Sequence, residues 1–141
     1  MVWTWRKFVA GHADCPVLAR EYQRFAGDEA PALLGAFGAF LQALGYGSRR
    51  MLAIGRPHCV GLTADEQHIL RLMAAAQNGE DARLEAHLCW LVKAGHEPAT
   101  LGALRMLSER LAGCGVKLPQ ASYAPPPPRA MLEVVRTAAR M

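Results

Sequence analysis

Residues 45–62 contain three arginines, one histidine and one cysteine, and no acidic residue. Its three arginines are Arg49, Arg50 and Arg56. Guanidinium groups bind phosphate and carboxylate through pairs of N–H donors, so this pattern predicts an anion-binding site. The alternative is that the arginines form salt bridges with the acidic segment at 64–97.

His58 and Cys59 are adjacent, and both side chains are metal ligands. His68, His87 and Cys89 could complete a tetrahedral zinc site if the helices that carry them turn toward the pair. The spacing matches no established zinc motif, so an incidental pair is the alternative. A Cys59 nucleophile with His58 as its base is disfavoured, because adjacent residues seldom place thiol and imidazole in hydrogen-bonding geometry.

Established catalytic signatures are absent from the sequence. It contains no phosphate-binding P-loop, no dinucleotide-binding glycine motif, no zinc-protease motif and no serine-hydrolase elbow. We therefore favour a non-catalytic protein without a cofactor.

The position of residues 45–62 depends on the uncharged segment 30–48, which overlaps their first four residues. Its large apolar side chains recur at helical spacing: Leu33, Leu34, Phe37, Phe40, Leu41 and Leu44. The length approaches that of a membrane span, but the glycines, alanines and Gln42 favour a core helix instead. We predict no membrane span, with Asp28 capping this helix and Gly45 following its last turn.

A strip of small residues, Gly35, Ala39 and Ala43, lies on the other side of this predicted helix. Glycine costs about 1 kcal/mol relative to alanine inside a helix, so a close helix contact is the expected compensation. We favour a crossing within the chain over a dimer interface, and retain Gly35 and Ala39 as candidate partner-binding residues.

Apolar periodicity elsewhere predicts a single all-α bundle of about five helices over residues 1–118, with an irregular loop at 45–62. In the helix before the central one, Phe25 is expected to face the core. Thr63 and Glu66 form a capping box that begins a helix ending near Gln77. A second helix, over 80–94, is expected to form an antiparallel hairpin with it.

The C-terminal region differs in composition from the predicted bundle. Residues 119–128 form a proline-rich spacer, and residues 129–141 have the pattern of an amphipathic helix. Its apolar face consists of Met131, Val134, Val135 and Ala138. Such a helix can dock in a groove on a partner, so these four residues are candidate partner-binding residues.

The formal charge of +4 is modest. Four widely spaced cysteines and the absence of a signal peptide predict a cytoplasmic protein with free thiols. The abundance of alanine, leucine, arginine and glycine indicates a bacterial sequence. The favoured function is an interaction or regulatory protein that binds a protein partner or itself. One alternative is a nucleic-acid-binding regulator, based on the basic C-terminal helix with Arg105, Arg110 and Lys117. Another is a small-ligand or metal-binding protein that uses the 45–62 loop.

Overall fold

A computed structural model describes residues 1–119 of the chain, and this part is mostly helical. Its α-helices are α1 (Val2–Val9), α2 (Pro16–Ala26), α3 (Ala30–Gly47), α4 (Ala64–Gln77), α5 (Asp81–Leu91) and α6 (Glu97–Gly113). A 3₁₀ turn, Gly27–Glu29, joins α2 to α3. No β-strand occurs within residues 1–119, so the predicted all-α fold is confirmed.

Helix α3 lies at the centre of the bundle, where it packs against α1, α2 and most extensively α6. Helix α4 completes the bundle by packing on α5 and α6. Four side chains of the predicted apolar face of α3 are fully or nearly fully buried, namely Leu33, Phe37, Phe40 and Leu44, whereas Leu34 and Leu41 are half-buried. The helical stretch Pro16–Gly47 is also long and apolar enough to cross a membrane, a criterion that core helices of soluble proteins meet as well.

Both ends of α3 differ from prediction. Asp28 provides no side-chain cap, because the preceding 3₁₀ turn continues the helical hydrogen bonding and Ala30 N–H donates to the Gly27 carbonyl. At the other end, α3 extends past Gly45 to Gly47. The irregular segment therefore begins at Ser48 instead of at residue 45.

Gly47 is where α3 passes closest to the connection between α5 and α6. A Cβ atom at this position would lie 2.9 Å from His96 Cβ and 3.0 Å from Val92 Cγ1. Gly35, in the same helix, would place its Cβ in open space. The two glycines thus have opposite environments within one helix.

Substituting these two glycines should therefore change stability in opposite directions. Gly47→Ala is expected to lower the free energy of unfolding by about 1–3 kcal/mol, because the new methyl group overpacks the contact. Gly35→Ala should raise it by about 0.5–1 kcal/mol, the difference in helix propensity between glycine and alanine at an exposed position. Urea denaturation of both variants tests this pair, and a change of the same sign in both would contradict it.

Helix α5 is shorter than its predicted range of 80–94. It ends at Leu91 because Val92 takes an extended conformation and forms an isolated antiparallel bridge with Ser48. Lys93 N–H then donates to the Gly47 carbonyl at 2.7 Å. This short pairing ties the C-terminal ends of α3 and α5 together.

Phe25 is 46 % exposed, so its predicted inward orientation is wrong, and α2 presents Leu18 and Tyr22 to the core instead.

Of the predicted proline-rich spacer at 119–128, only Pro119 falls among the described residues. The predicted helix at 129–141 lies outside them. The spacer and the C-terminal helix therefore stay predictions.

Candidate functional site

The irregular segment between α3 and α4, residues 48–63, is hereafter called the anchored segment. Its C-terminal end is fixed by the predicted capping box, which is confirmed. Glu66 N–H donates to Thr63 Oγ1 at 3.0 Å, and Thr63 N–H donates to Glu66 Oε2 at 2.8 Å. These bonds satisfy backbone donors that would otherwise be unpaired at the start of α4.

Glu66 also forms a buried ion pair with Arg6 of α1, and this pair fixes the middle of the anchored segment. Arg6 Nε donates to Glu66 Oε1 at 2.7 Å, and Arg6 Nη2 donates to Oε2 at 2.8 Å. The same guanidinium donates to the carbonyls of Cys59 and Gly61, each at 2.7 Å. Gly55 N–H donates to Glu66 Oε1 at 2.9 Å. The two buried charges are thus paired and extensively hydrogen-bonded, as burial of charge requires.

The hydrogen bonds from Arg6 are the main reason that the pKa of Glu66 is lowered to about 2, and they outweigh the opposite effect of burial. The backbone donors of Thr63 and Gly55 lower the pKa of Glu66 further. Glu66 also raises the pKa of the Arg6 guanidinium. Both groups are therefore charged at neutral pH, and the pair acts as a fixed anchor.

Asp65 anchors the first half of the same segment. Its carboxylate accepts two hydrogen bonds from the Arg50 guanidinium and one from Ala53 N–H at 2.7 Å. The hydrogen bonds from Arg50 lower the pKa of Asp65. The Thr63 hydroxyl donates to the Ala53 carbonyl and so joins the two halves of the segment.

The N-terminal end of the anchored segment is attached to α5 through Arg49. Arg49 N–H donates to the Leu91 carbonyl at 2.8 Å, and its Nε donates to the Cys89 carbonyl at 2.9 Å. All three arginines predicted to bind an anion are exposed, and the side chains of Arg49 and Arg50 also help to hold the segment. The anion site stays a prediction.

Several apolar side chains of the anchored segment point to solvent although its backbone is fixed. Val60 is fully exposed and Met51 is 92 % exposed. Leu62 is partly exposed, and Trp90, in the turn of α5 that holds Arg49, is 76 % exposed. Methionine, tryptophan and arginine are enriched in protein interfaces. The exposed Met51 and Trp90 are of residue types that such interfaces favour.

The predicted metal ligands do not come together around His58 and Cys59. Both residues are exposed, and Cys89 is exposed on α5. Among residues 1–119, no three His, Cys, Asp or Glu side chains are grouped so that they could hold a metal ion. His68 and His87 do meet, with Nε2 of the first 3.0 Å from Nδ1 of the second. Metal binding by His58 and Cys59 stays a prediction.

The small-residue strip of α3 is not covered by another helix of the described chain. Gly35 and Ala39 are exposed, and no atom lies within 4 Å of a Cβ built at Gly35. The close contact occurs at Gly38 instead, where a Cβ would lie 3.1 Å from a ring carbon of Phe8. The predicted internal crossing is therefore wrong for Gly35 within residues 1–119. The other predicted partner-binding residues, Met131, Val134, Val135 and Ala138, lie outside the described range.

Two of the basic residues on which the nucleic-acid hypothesis rests are partly neutralised. Arg105 lies 3.4 Å from Asp81, and Arg110 lies 3.4 Å from Glu29. Both pairs are exposed enough that they contribute little to stability. They nevertheless reduce the positive potential that a phosphate backbone would meet.

Sequence reasoning missed the anchoring role of Arg6, although a signal for it exists. Arg6 is four residues after Val2, and it follows Trp5 on a short helix that docks on the core. Glu66 likewise lies three residues before Ile69, on the buried stripe of α4. One basic and one acidic residue, each on an apolar face, predict a buried pair when both helices belong to one core.

No family model matches the chain, and no curated protein or solved structure matches it. The fold and the geometry of the anchored segment are consequently the basis for a functional proposal.

Proposed function

We propose that this chain is a non-catalytic, cytoplasmic interaction protein that binds a protein partner through the anchored segment. One observation carries the proposal. Met51 and Val60 are almost entirely exposed on a backbone that Asp65, Glu66 and Arg6 hold through buried or half-buried hydrogen bonds. A fixed backbone with outward apolar side chains is the arrangement expected of a preformed binding loop.

Preorganisation matters because binding otherwise has to order the loop. Fixing one residue's backbone costs about 1–2 kcal/mol of conformational entropy, so ordering a flexible segment of this length would weaken any complex considerably. Here the segment is already ordered when the bundle folds, so binding does not have to order it. The apolar area of Val60 and Met51 then contributes to affinity when a partner removes it from water.

The chemistry of the surface restricts the kind of partner. Residues 31–63 contain three arginines and no acidic residue, and Arg56 is exposed in the anchored segment. A complementary surface would have an apolar pocket for Val60 with acidic side chains or carbonyl groups around it.

Site-specific photo-crosslinking tests the proposal. A photoreactive amino acid at position 60 is expected to give one reproducible crosslinked protein in cells of the source organism. The same group at Val17 should give no such crosslink. Val17 is a matched control because it is an exposed valine on α2, outside the anchored segment.

Binding must then be reproduced with the purified partner. Val60→Asp should weaken the complex at least tenfold, because it places a charge in an apolar contact, and Val17→Asp should leave the affinity unchanged. Equal losses in both variants, or no crosslink that depends on position 60, would refute a binding role for the segment.

A further inference from the structure

The helical hairpin of α4 and α5 contains a pair of histidines that the anchored segment does not use. His68 of α4 and His87 of α5 face each other with Nε2 and Nδ1 3.0 Å apart. The rings are perpendicular, at 89°, with centroids 4.6 Å apart. Burial lowers the pKa of both imidazoles. Lowering the pKa favours the uncharged form of each ring, the form that has a nitrogen lone pair.

We propose that His68 and His87 form a two-ligand site for a divalent transition-metal ion, with Nε2 of the first and Nδ1 of the second as ligands. This inference is independent of the proposed partner-binding function. Imidazole nitrogens are common ligands for nickel, copper and zinc, and the remaining positions of the ion would be taken by water or by a ligand from solution.

The separation of the nitrogens indicates which ions fit best. With metal–nitrogen bonds of about 2.1 Å, two nitrogens 3.0 Å apart subtend roughly 90° at the metal. That is the angle between neighbouring ligands in octahedral and square-planar complexes, which Ni²⁺ and Cu²⁺ form. Tetrahedral Zn²⁺ would need the nitrogens about 3.4 Å apart, so the rings would have to separate slightly.

Protons balance in the binding step. In the metal-free pair one imidazole donates its N–H to the other nitrogen, so one of the two facing nitrogens carries a hydrogen. When the metal binds, that ring moves its proton to its other nitrogen by exchange with water. Both facing lone pairs then coordinate the ion, and no net proton is released.

Charged neighbours on every side modify the affinity. The charges of Arg71 and Arg50 act on His68, and those of Arg83 and Arg71 act on His87. Arg50 and Asp65 form an ion pair and offset each other, and Arg83 is paired with Glu80 at 2.8 Å, so Arg71 is the main remaining positive charge. The net positive surroundings weaken cation binding, so Arg71→Gln should raise the affinity for Ni²⁺ by about threefold or more.

Unfolding of the full chain in urea, with Ni²⁺ or with EDTA, tests the site. Only the folded chain holds the two nitrogens together, so Ni²⁺ at a hundred times its Kd should lower the unfolding equilibrium constant about 100-fold. Mg²⁺, which prefers oxygen ligands, should have no effect. His68→Ala and His87→Ala should each abolish the nickel effect, whereas the exposed control His58→Ala should retain it.

A spectroscopic measurement keeps the proposal testable if either alanine variant fails to fold. The wild-type chain with one equivalent of Cu²⁺ should give an electron paramagnetic resonance spectrum with coupling to two imidazole nitrogens. No nickel-dependent shift in the wild-type chain would overturn the proposal. So would a shift that survives in His87→Ala but disappears in His58→Ala, because the metal would then be bound at His58 and Cys59.

Discussion

Replacing Glu66 with alanine is expected to lower the free energy of unfolding by about 3–5 kcal/mol, the usual cost of leaving one partner of a buried ion pair uncompensated. Arg6 would keep its charge in a buried position without the carboxylate that binds its Nε. The backbone N–H groups of Gly55 and Thr63 would also lose their acceptor. The anchored segment should consequently loosen along with the contact between α1 and α4.

Urea denaturation measures this loss, and Glu85→Ala is the matched control. Glu85 is an exposed acid on α5, so its substitution should change stability by no more than about 0.5 kcal/mol. The double variant Arg6→Met with Glu66→Leu should be less destabilised than the sum of the single losses, because no charge is then stranded. Additive losses would show that the two side chains do not act as a pair.

Removing the charge of Glu66 should also change how stability depends on pH. The pKa of Glu66 is about 2 in the folded chain, against 4.5 as the ordinary value. Above the ordinary value the carboxylate is ionised in both states and its contribution is complete. As the pH falls from 4.5 toward 2, the unfolded chain takes up the proton first, and up to roughly 3 kcal/mol of stability is lost. Glu66→Gln should flatten the stability profile over this range.

The fold could be predicted from the sequence because its determinants are local and repeated. Leu33, Phe37, Phe40 and Leu44 recur with the period of a helix, and burial of one face then determines how α3 packs. The capping box of Thr63 and Glu66 could also be predicted from the sequence, since both partners lie within four residues. The ends of α3 and α5 were predicted less accurately, because they depend on contacts between distant residues such as Ser48 and Val92.

The candidate site could be located from the sequence but not described. The composition of residues 45–62 indicated an unusual segment, yet the residues that hold it come from elsewhere in the chain. Arg6 is 60 residues from Glu66, and Arg50 is 15 residues from Asp65. A single sequence gives no register between such residues, so it left an anion site and salt bridges with residues 64–97 as alternatives for the arginines, and Arg50 does pair with Asp65.

Replacing Phe37 with alanine should lower the free energy of unfolding by about 3–5 kcal/mol, as truncation of a fully buried aromatic ring does. Phe37 has no exposed surface, and its ring meets the Tyr22 ring edge-on, with centroids 5.8 Å apart. The bundle would lose apolar burial at its central helix and gain a cavity that the surrounding helices fill only in part.

Phe25→Ala is a matched control, because Phe25 contacts the same tyrosine but is 46 % exposed. Its ring lies 4.9 Å from that of Tyr22, so truncation removes an aromatic pair worth about 0.5–1.5 kcal/mol and leaves little cavity. Urea denaturation should therefore give a loss of roughly 1 kcal/mol for Phe25→Ala, well below the loss for Phe37→Ala. Equal losses would mean that the contact with Tyr22, and not burial in α3, determines what each ring contributes.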